Sequence, residues 1–262
     1  LIGITARTLS FGGAATVARR HIVVETCQTM PLYISNRLVK TFLSNDLILW
    51  IDPAKVHYHI GTSRPENTKV KHLFAKLQTK NLAVRSVQRM TLRATNFFES
   101  FAIDPAFYQD LTEFERHKKY LRVRDFIQHR DNFKESQWYQ DLVSDLESKG
   151  SAKHKKNVMT STQDIEHFMK YYVLSLINSL ERDGFDFTKG GGTGRALISE
   201  DGTIHKSSSG RHRFYAAREL GISPIPLHIA GVHEDWYRKQ VGNRFRPWKL
   251  KKALLEVQAN HA

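Results

Sequence analysis

Cysteine is almost missing: Cys27 is the single thiol in 262 residues. A disulfide framework and a metal centre built from several cysteines are therefore excluded, and one thiol suits a reducing compartment. Long apolar runs are missing too, with none near the roughly 18 uninterrupted residues that a membrane-spanning helix requires. The chain is accordingly expected to lack a transmembrane segment and to be cytoplasmic. Acid is the third shortage. Against 40 Lys and Arg stand 26 Asp and Glu, for a formal charge of +14. A surplus of that size points to polyanionic partners, among them nucleic acid, nucleotide phosphates and anionic lipid.

What is present is globular. With 40% hydrophobic and 11% aromatic residues wholesale disorder is excluded, and the length allows one large or two small domains. The positive charge is concentrated in Arg64–Arg93, Lys149–Lys156 and Arg238–Lys252. The chain opens at Leu1 rather than Met, as a trimmed start would. Residues 1–25 contain Arg, Ser and Thr but no acid before Glu25, a faint likeness to an organelle transit segment.

Periodicity divides the chain. Residues 1–46 read as an irregular N-terminal arm with one short strand at His21–Glu25. Leu47–Ile51 is an apolar run ended by Asp52-Pro53, and Val56–Ile60 alternates as a strand should, with His57 and His59 on one face. Residues 61–159 form a basic, helical insertion with helices expected at Lys69–Leu77, Pro105–Phe126 and Ser136–Lys149. The last is stopped by Gly150 and followed by an exposed loop. Ile165, Phe168, Val173, Ile177 and Leu180 then recur at helical spacing, opened by Ser161 or Thr162 and closed by Gly184. Strands are expected at Arg195–Ser199, Thr203–His205 and Pro224–Ile229, the last with prolines that suit a strand start or a sheet edge. A helix over Arg211–Leu220, ended by Gly221, lies between the last two. Residues 237–262 read as a basic C-terminal tail, with Trp236, Tyr237, Phe245 and Trp248 pinning it to the core.

The sharpest chemical feature is Ser207-Ser208-Ser209-Gly210-Arg211-His212-Arg213, between a strand and a helix start. Backbone N–H groups at a helix N-terminus, a glycine that permits close approach, serine hydroxyls and two guanidinium groups together make a cradle for phosphate. Lys189–Gly194 is glycine-rich and includes Thr193, a candidate second phosphate contact, but it lacks P-loop spacing. Carboxylates fit for a general base or a divalent ion occur at Glu200 and Asp201 in a turn, and at Glu234 and Asp235 just after the final strand.

The order of these pieces resembles the ParB/sulfiredoxin-like superfamily. The likeness rests on Asp52-Pro53…Val56-His57, the helix before Gly184, the run Gly210-Arg211-His212-Arg213-Phe214-Tyr215-Ala216-Ala217 with Gly221, and Ile225-Pro226-Leu227. It covers about 85 residues, within 47–60 and 160–236. It implies an α/β (α+β) fold, a small mixed sheet with flanking helices, plus the helical insertion. It also implies nucleotide phosphates at the Gly210 turn. Sulfiredoxins carry their reactive cysteine where this chain has Arg211, so sulfinic-acid reduction is not expected. About 30 residues follow Ile229, too few for the helix-turn-helix module of chromosome-partitioning members. One branch of the superfamily phosphorylates free serine and another is described as nuclease.

The expected function is therefore an ATP-dependent phosphotransferase that takes ATP or another nucleoside triphosphate, with Mg2+, and a small polar or sugar-like acceptor. Ser208, Ser209, Gly210, Arg211, His212, Arg213 and Thr193 would bind phosphate; Glu234, Asp235 and His212 would carry the proton chemistry. The alternative is a nucleic-acid-associated protein that uses its basic stretches on a phosphate backbone.

Overall fold

The computed structural model describes residues 32–61, 82–97, 99–108, 111–186 and 192–262. The strand expected at His21–Glu25, the helix expected at Lys69–Leu77 and residues 189–191 lie outside them. The described strands are β1 (Ile48–Ile51), β2 (Tyr58–Ile60), β3 (Ala102–Ile103), β4 (Leu111–Glu113), β5 (Ala152–His154), β6 (Asn157–Met159), β7 (Gly194–Ile198), β8 (Ile204–Lys206) and β9 (Ile225–His233). The helices are α1 (Asn36–Leu43), α2 (Leu82–Phe97), α3 (Lys118–Gln128), α4 (Gln137–Lys149), α5 (Thr162–Phe168), α6 (Ser175–Asp183), α7 (Arg211–Glu219), α8 (Glu234–Gln240) and α9 (Pro247–His261). A π-helical stretch, Met169–Leu174, joins α5 to α6. The class is mixed α and β, and none of the described helices is long and apolar enough to cross a membrane.

Strand order in the central sheet is β1-β9-β7-β8-β2-β4, with β3 pairing the far end of β9. β9 is apolar along nearly its whole length because it is paired on both sides, running parallel to β7 from Gly194↔Leu227 to Ile198↔Val232. Pro224 and Pro226 stand at its start, Pro226 opposite Trp50 of β1. β7 and β8 form a hairpin whose turn is closed by the Asp201 carboxylate, which accepts from the Thr203 N–H at 2.9 Å. β2 runs parallel to β8, with His59 opposite Lys206. The C-terminal ends of β2 and β8 and the N-terminal end of β7 therefore meet, and α7 starts there.

α7 crosses from β8 to β9 and buries Phe214, Tyr215, Ala216 and Ala217. Tyr215 meets Phe114 and Tyr120 edge-on, each with ring centroids 5.4 Å apart, which ties α7 to the N-terminal turn of α3. Such aromatic pairs add about 1 kcal/mol each beyond burial. Helix α4 begins at a Ser136 cap and ends at Gly150 in the left-handed region, and α5 begins in a capping box of Ser161 and Asp164, as their sequences require.

Several expectations are corrected. Residues 32–46 are not an irregular arm, because α1 buries Val39 and Leu43 in the core. The stretch 61–159 is not helical throughout. The expected helix Pro105–Phe126 is a helical turn at Pro105–Phe107, strand β4, a second turn at Phe114–Arg116, and α3 only from Lys118. Leu111–Glu113 satisfies the open edge of β2, so sheet pairing overrides local helix preference. The loop expected after Gly150 is the β5–β6 hairpin, anchored by fully buried Ala152. The tail folds as α8 and α9, with Leu250, Leu254 and Val257 on the buried side. Trp236 and Tyr237 are buried as expected, whereas Trp248 is exposed.

Candidate anion-binding site

The Gly210 turn is built on a close backbone crossing. Gly210 caps α7 with φ +67°, and a Cβ there would stand 2.5 Å from Gly194 Cα. A Cβ on Gly194 would in turn stand 2.8 Å from Leu227. Only glycine fits at 210, where the obstacle is backbone, whereas at 194 the Leu227 side chain would have to shift. Beneath the crossing lies Lys206, fully buried, whose ammonium donates to the carbonyls of Arg195 at 3.1 Å, Ser207 at 2.8 Å and Ser209. Burial pushes this lysine well below its ordinary range, yet three carbonyl acceptors match the three N–H bonds of the charged form. The bonds pin the turn from below.

Around Arg211 the structure gathers basic groups from four separate stretches. β2 supplies His59, and the start of α3 supplies His117 and Lys119. The β5–β6 hairpin supplies His154 and Lys155, and α7 supplies His212. The rings of His59 and His117 stack 4.1 Å apart, and His117 Nδ1 lies 3.3 Å from the Tyr215 hydroxyl. The His212 ring packs 5.1 Å from His154 and 5.2 Å from Trp138. Burial pushes His59 down to about 3, helped by the charges of His117, Arg211, Lys206 and Lys119. Burial likewise lowers His212 to about 3, helped by His154, Lys155, Arg211 and Lys119. His154 falls to about 4, and His117 and Lys119 are also lowered, each by burial first. The charges acting on the four histidines and Lys119 are all cationic, and Arg211 makes no ion pair among the described residues. Buried Ser207 Oγ, His59 Nε2 and His154 Nε2 lack hydrogen-bond partners. A half-buried group of basic side chains, with Lys119 and Lys155 exposed at its rim and orphaned polar atoms within it, suits an anion that can accept from several donors.

The phosphate-binding residues expected from sequence are divided by this geometry. Ser208, Ser209 and Gly210 are exposed at the turn, Thr193 lies against it, and Arg211 and His212 enter the cluster. Arg213 leaves by the other flank of α7, its guanidinium 5.8 Å from the Phe185 ring. At about 100° per residue Arg211 and Arg213, two positions apart, point about 200° apart and so leave opposite flanks of the helix. His57 precedes β2 and is exposed, so it does not share the buried face of His59.

The acids expected to be catalytic stand apart from the Gly210 turn. Glu234 and Asp235 follow the far end of β9, about 20 Å along the strand from the residue opposite Gly194. Glu234 is buried and occupied there, accepting from the Leu32 N–H at 2.9 Å and from Arg238 at 2.5 Å. Asp201 closes the hairpin turn and is pulled down to about 2 by hydrogen bonds from Ser199 and Thr203 that outweigh its burial. Glu200, His233 and Asp235 lie together, with ligand atoms within 4.8 Å, but His233 Nδ1 already accepts the Asp235 N–H. Among the described residues no carboxylate acts on His59 or His212, so the side chains gathered around Arg211 offer no carboxylate ligand for the expected Mg2+.

His117, Lys119, His154 and Lys155 were not expected at the site. Lys153-His154-Lys155-Lys156 stood out as a charge run, but nothing in its spacing ties it to Gly210. No family model, curated protein or solved structure matches the chain.

Proposed function

We propose that this protein binds the phosphates of a nucleoside triphosphate at the N-terminus of α7 and transfers phosphate to a small polar acceptor. The observation that carries the reading is Arg211, without an ion pair among the described residues, beside His59, His117, Lys119 and His212 at a turn built from Gly194 and Gly210. The resemblance to ParB/sulfiredoxin-like proteins at Gly210–Ala217 points the same way. Arg211 and Lys119 would neutralise phosphate charge, His212 would donate a hydrogen bond, and the exposed Ser208 and Ser209 would bind from the solvent side. Glu234 is replaced as base by His117, which is only partly exposed, is held by Tyr215 and His59, and is kept neutral at pH 7 by burial and by Arg211. A neutral imidazole can take the acceptor's proton.

The nucleic-acid alternative draws less support from the C-terminal basic run. Arg238 pairs with Glu234, Lys251 with Asp46 and Lys252 with Glu256, so part of that charge is already spent. Calorimetry with ATP and CTP tests the reading. Arg211→Ala should weaken both by roughly tenfold to a hundredfold, and His117→Ala should remove transfer while binding persists. Unchanged affinity in Arg211→Ala would show the reading to be wrong.

A further inference from the structure

A nucleotide needs a place for its base as well as its phosphates. The enclosed space beside His212 and Trp138 measures about 10 Å³, room for no more than one water. A groove of about 520 Å³ opens on the other side of Tyr172, between the β5–β6 hairpin and the helix that carries the π-helical stretch. That volume falls in the range of small-molecule sites, and π-helical turns recur at functional sites.

Its walls have the chemistry of a base subsite. Tyr171 is 70% exposed, with its ring 4.3 Å from that of His167, and Tyr172 stacks on Phe168 at 5.1 Å. Asn157 lines the opposite wall with Lys156 and Val158, and its amide offers both a donor and an acceptor. The groove also connects to the cationic cluster. Lys155 donates to the Tyr172 hydroxyl at 3.1 Å, and its charge reaches His154 and His212. The Tyr172 ring centroid is 6.4 Å from that of His212. One side chain therefore separates exposed aromatic faces from the cations around Arg211.

We infer that this groove holds the base of the nucleotide, stacked on Tyr171, while the phosphates pass Lys155 to reach Arg211. The inference rests on the nucleotide reading above and adds to it a second binding surface made by the hairpin and the π-helical stretch.

Calorimetry on the full chain with ATP and with inorganic tripolyphosphate separates the two. The wild-type protein should bind ATP at least roughly tenfold more tightly than tripolyphosphate, since stacking on one aromatic ring is worth about that much. Tyr171→Ala, at an exposed position, should abolish the advantage and leave tripolyphosphate affinity unchanged. Val158→Trp, which fills the groove from an exposed position, should do the same. Equal wild-type affinities that both depend on Arg211 would overturn the base subsite and leave the phosphate site standing. Equal weakening of both ligands by Tyr171→Ala would also overturn it. Binding of neither ligand to the wild-type protein would sink both proposals.

Discussion

The two ends of the β7–β9 strand pair carry opposite arrangements of charge. At the far end Glu234 is held by Arg238 and by the Leu32 N–H, and Asp235 donates its N–H to His233. At the near end Arg211 and Lys119 stand beside four histidines, and among the described residues no carboxylate acts on them. Polar groups that satisfy one another stabilise a fold, whereas the cations Arg211, Lys119 and Lys155, beside neutral histidines and without a counterion, gain stability when an anion arrives. The far end is thus internally satisfied, and in the proposed reading the near end is the binding surface, although in the sequence the carboxylates at 234 and 235 look the more chemical.

Substitutions that treat the ends alike should give unlike results. The largest effect is expected from Gly210→Ala, which adds a left-handed residue and a Cβ 2.5 Å from Gly194 Cα. Denaturant unfolding should show a loss of at least about 2 kcal/mol, and phosphate binding should fail with it. Glu234→Ala should destabilise by about 2 kcal/mol, because a mostly buried Arg238 loses its carboxylate and keeps the neutral Asn243 amide oxygen. Its ATP affinity should match the wild type, and a loss of binding there would erase the division between the ends.

A third contrast is in pH. His59, His154 and His212 have folded-state values near 3 to 4, below the unfolded value of 6.5. The unfolded chain therefore takes up protons first, and stability should fall as pH drops from about 6.5 toward 4. Bound phosphate favours the protonated rings. Binding should be accompanied by proton uptake, seen as a dependence of calorimetric enthalpy on buffer ionisation heat, and affinity should rise between pH 7 and 6. The smallest effect is expected from Asp235→Asn, whose side chain is half exposed. Its stability should change by less than about 0.5 kcal/mol, and its phosphate affinity should not change at all.

Local signals in the sequence were good guides to local structure. The Ser161–Asp164 capping box, the Gly150, Gly184 and Gly221 helix ends and the Gly210 turn depend on neighbours a few residues apart, and all are found where their residue types require them. The site itself was only half legible. Arg211 and His212 belong to the turn, but His59, His117 and His154 come from stretches 57 to 152 positions away in the chain, joined by sheet pairing and by the α3–α7 contact. Spacing carries no record of such long-range assembly. Pro105–Phe126 failed for the same reason, since the edge of β2 decided the conformation of Leu111–Glu113.

The most direct measurement is an amide and imidazole NMR titration of the full chain with ATP. Saturable shifts should centre on Ser208–His212 and on the rings of His59, His117 and His212, while Glu200, Glu234 and Asp235 stay still. Shifts concentrated at Glu200, His233 and Asp235, or no saturable shifts at the Gly210 turn, would contradict the placement of the phosphate site.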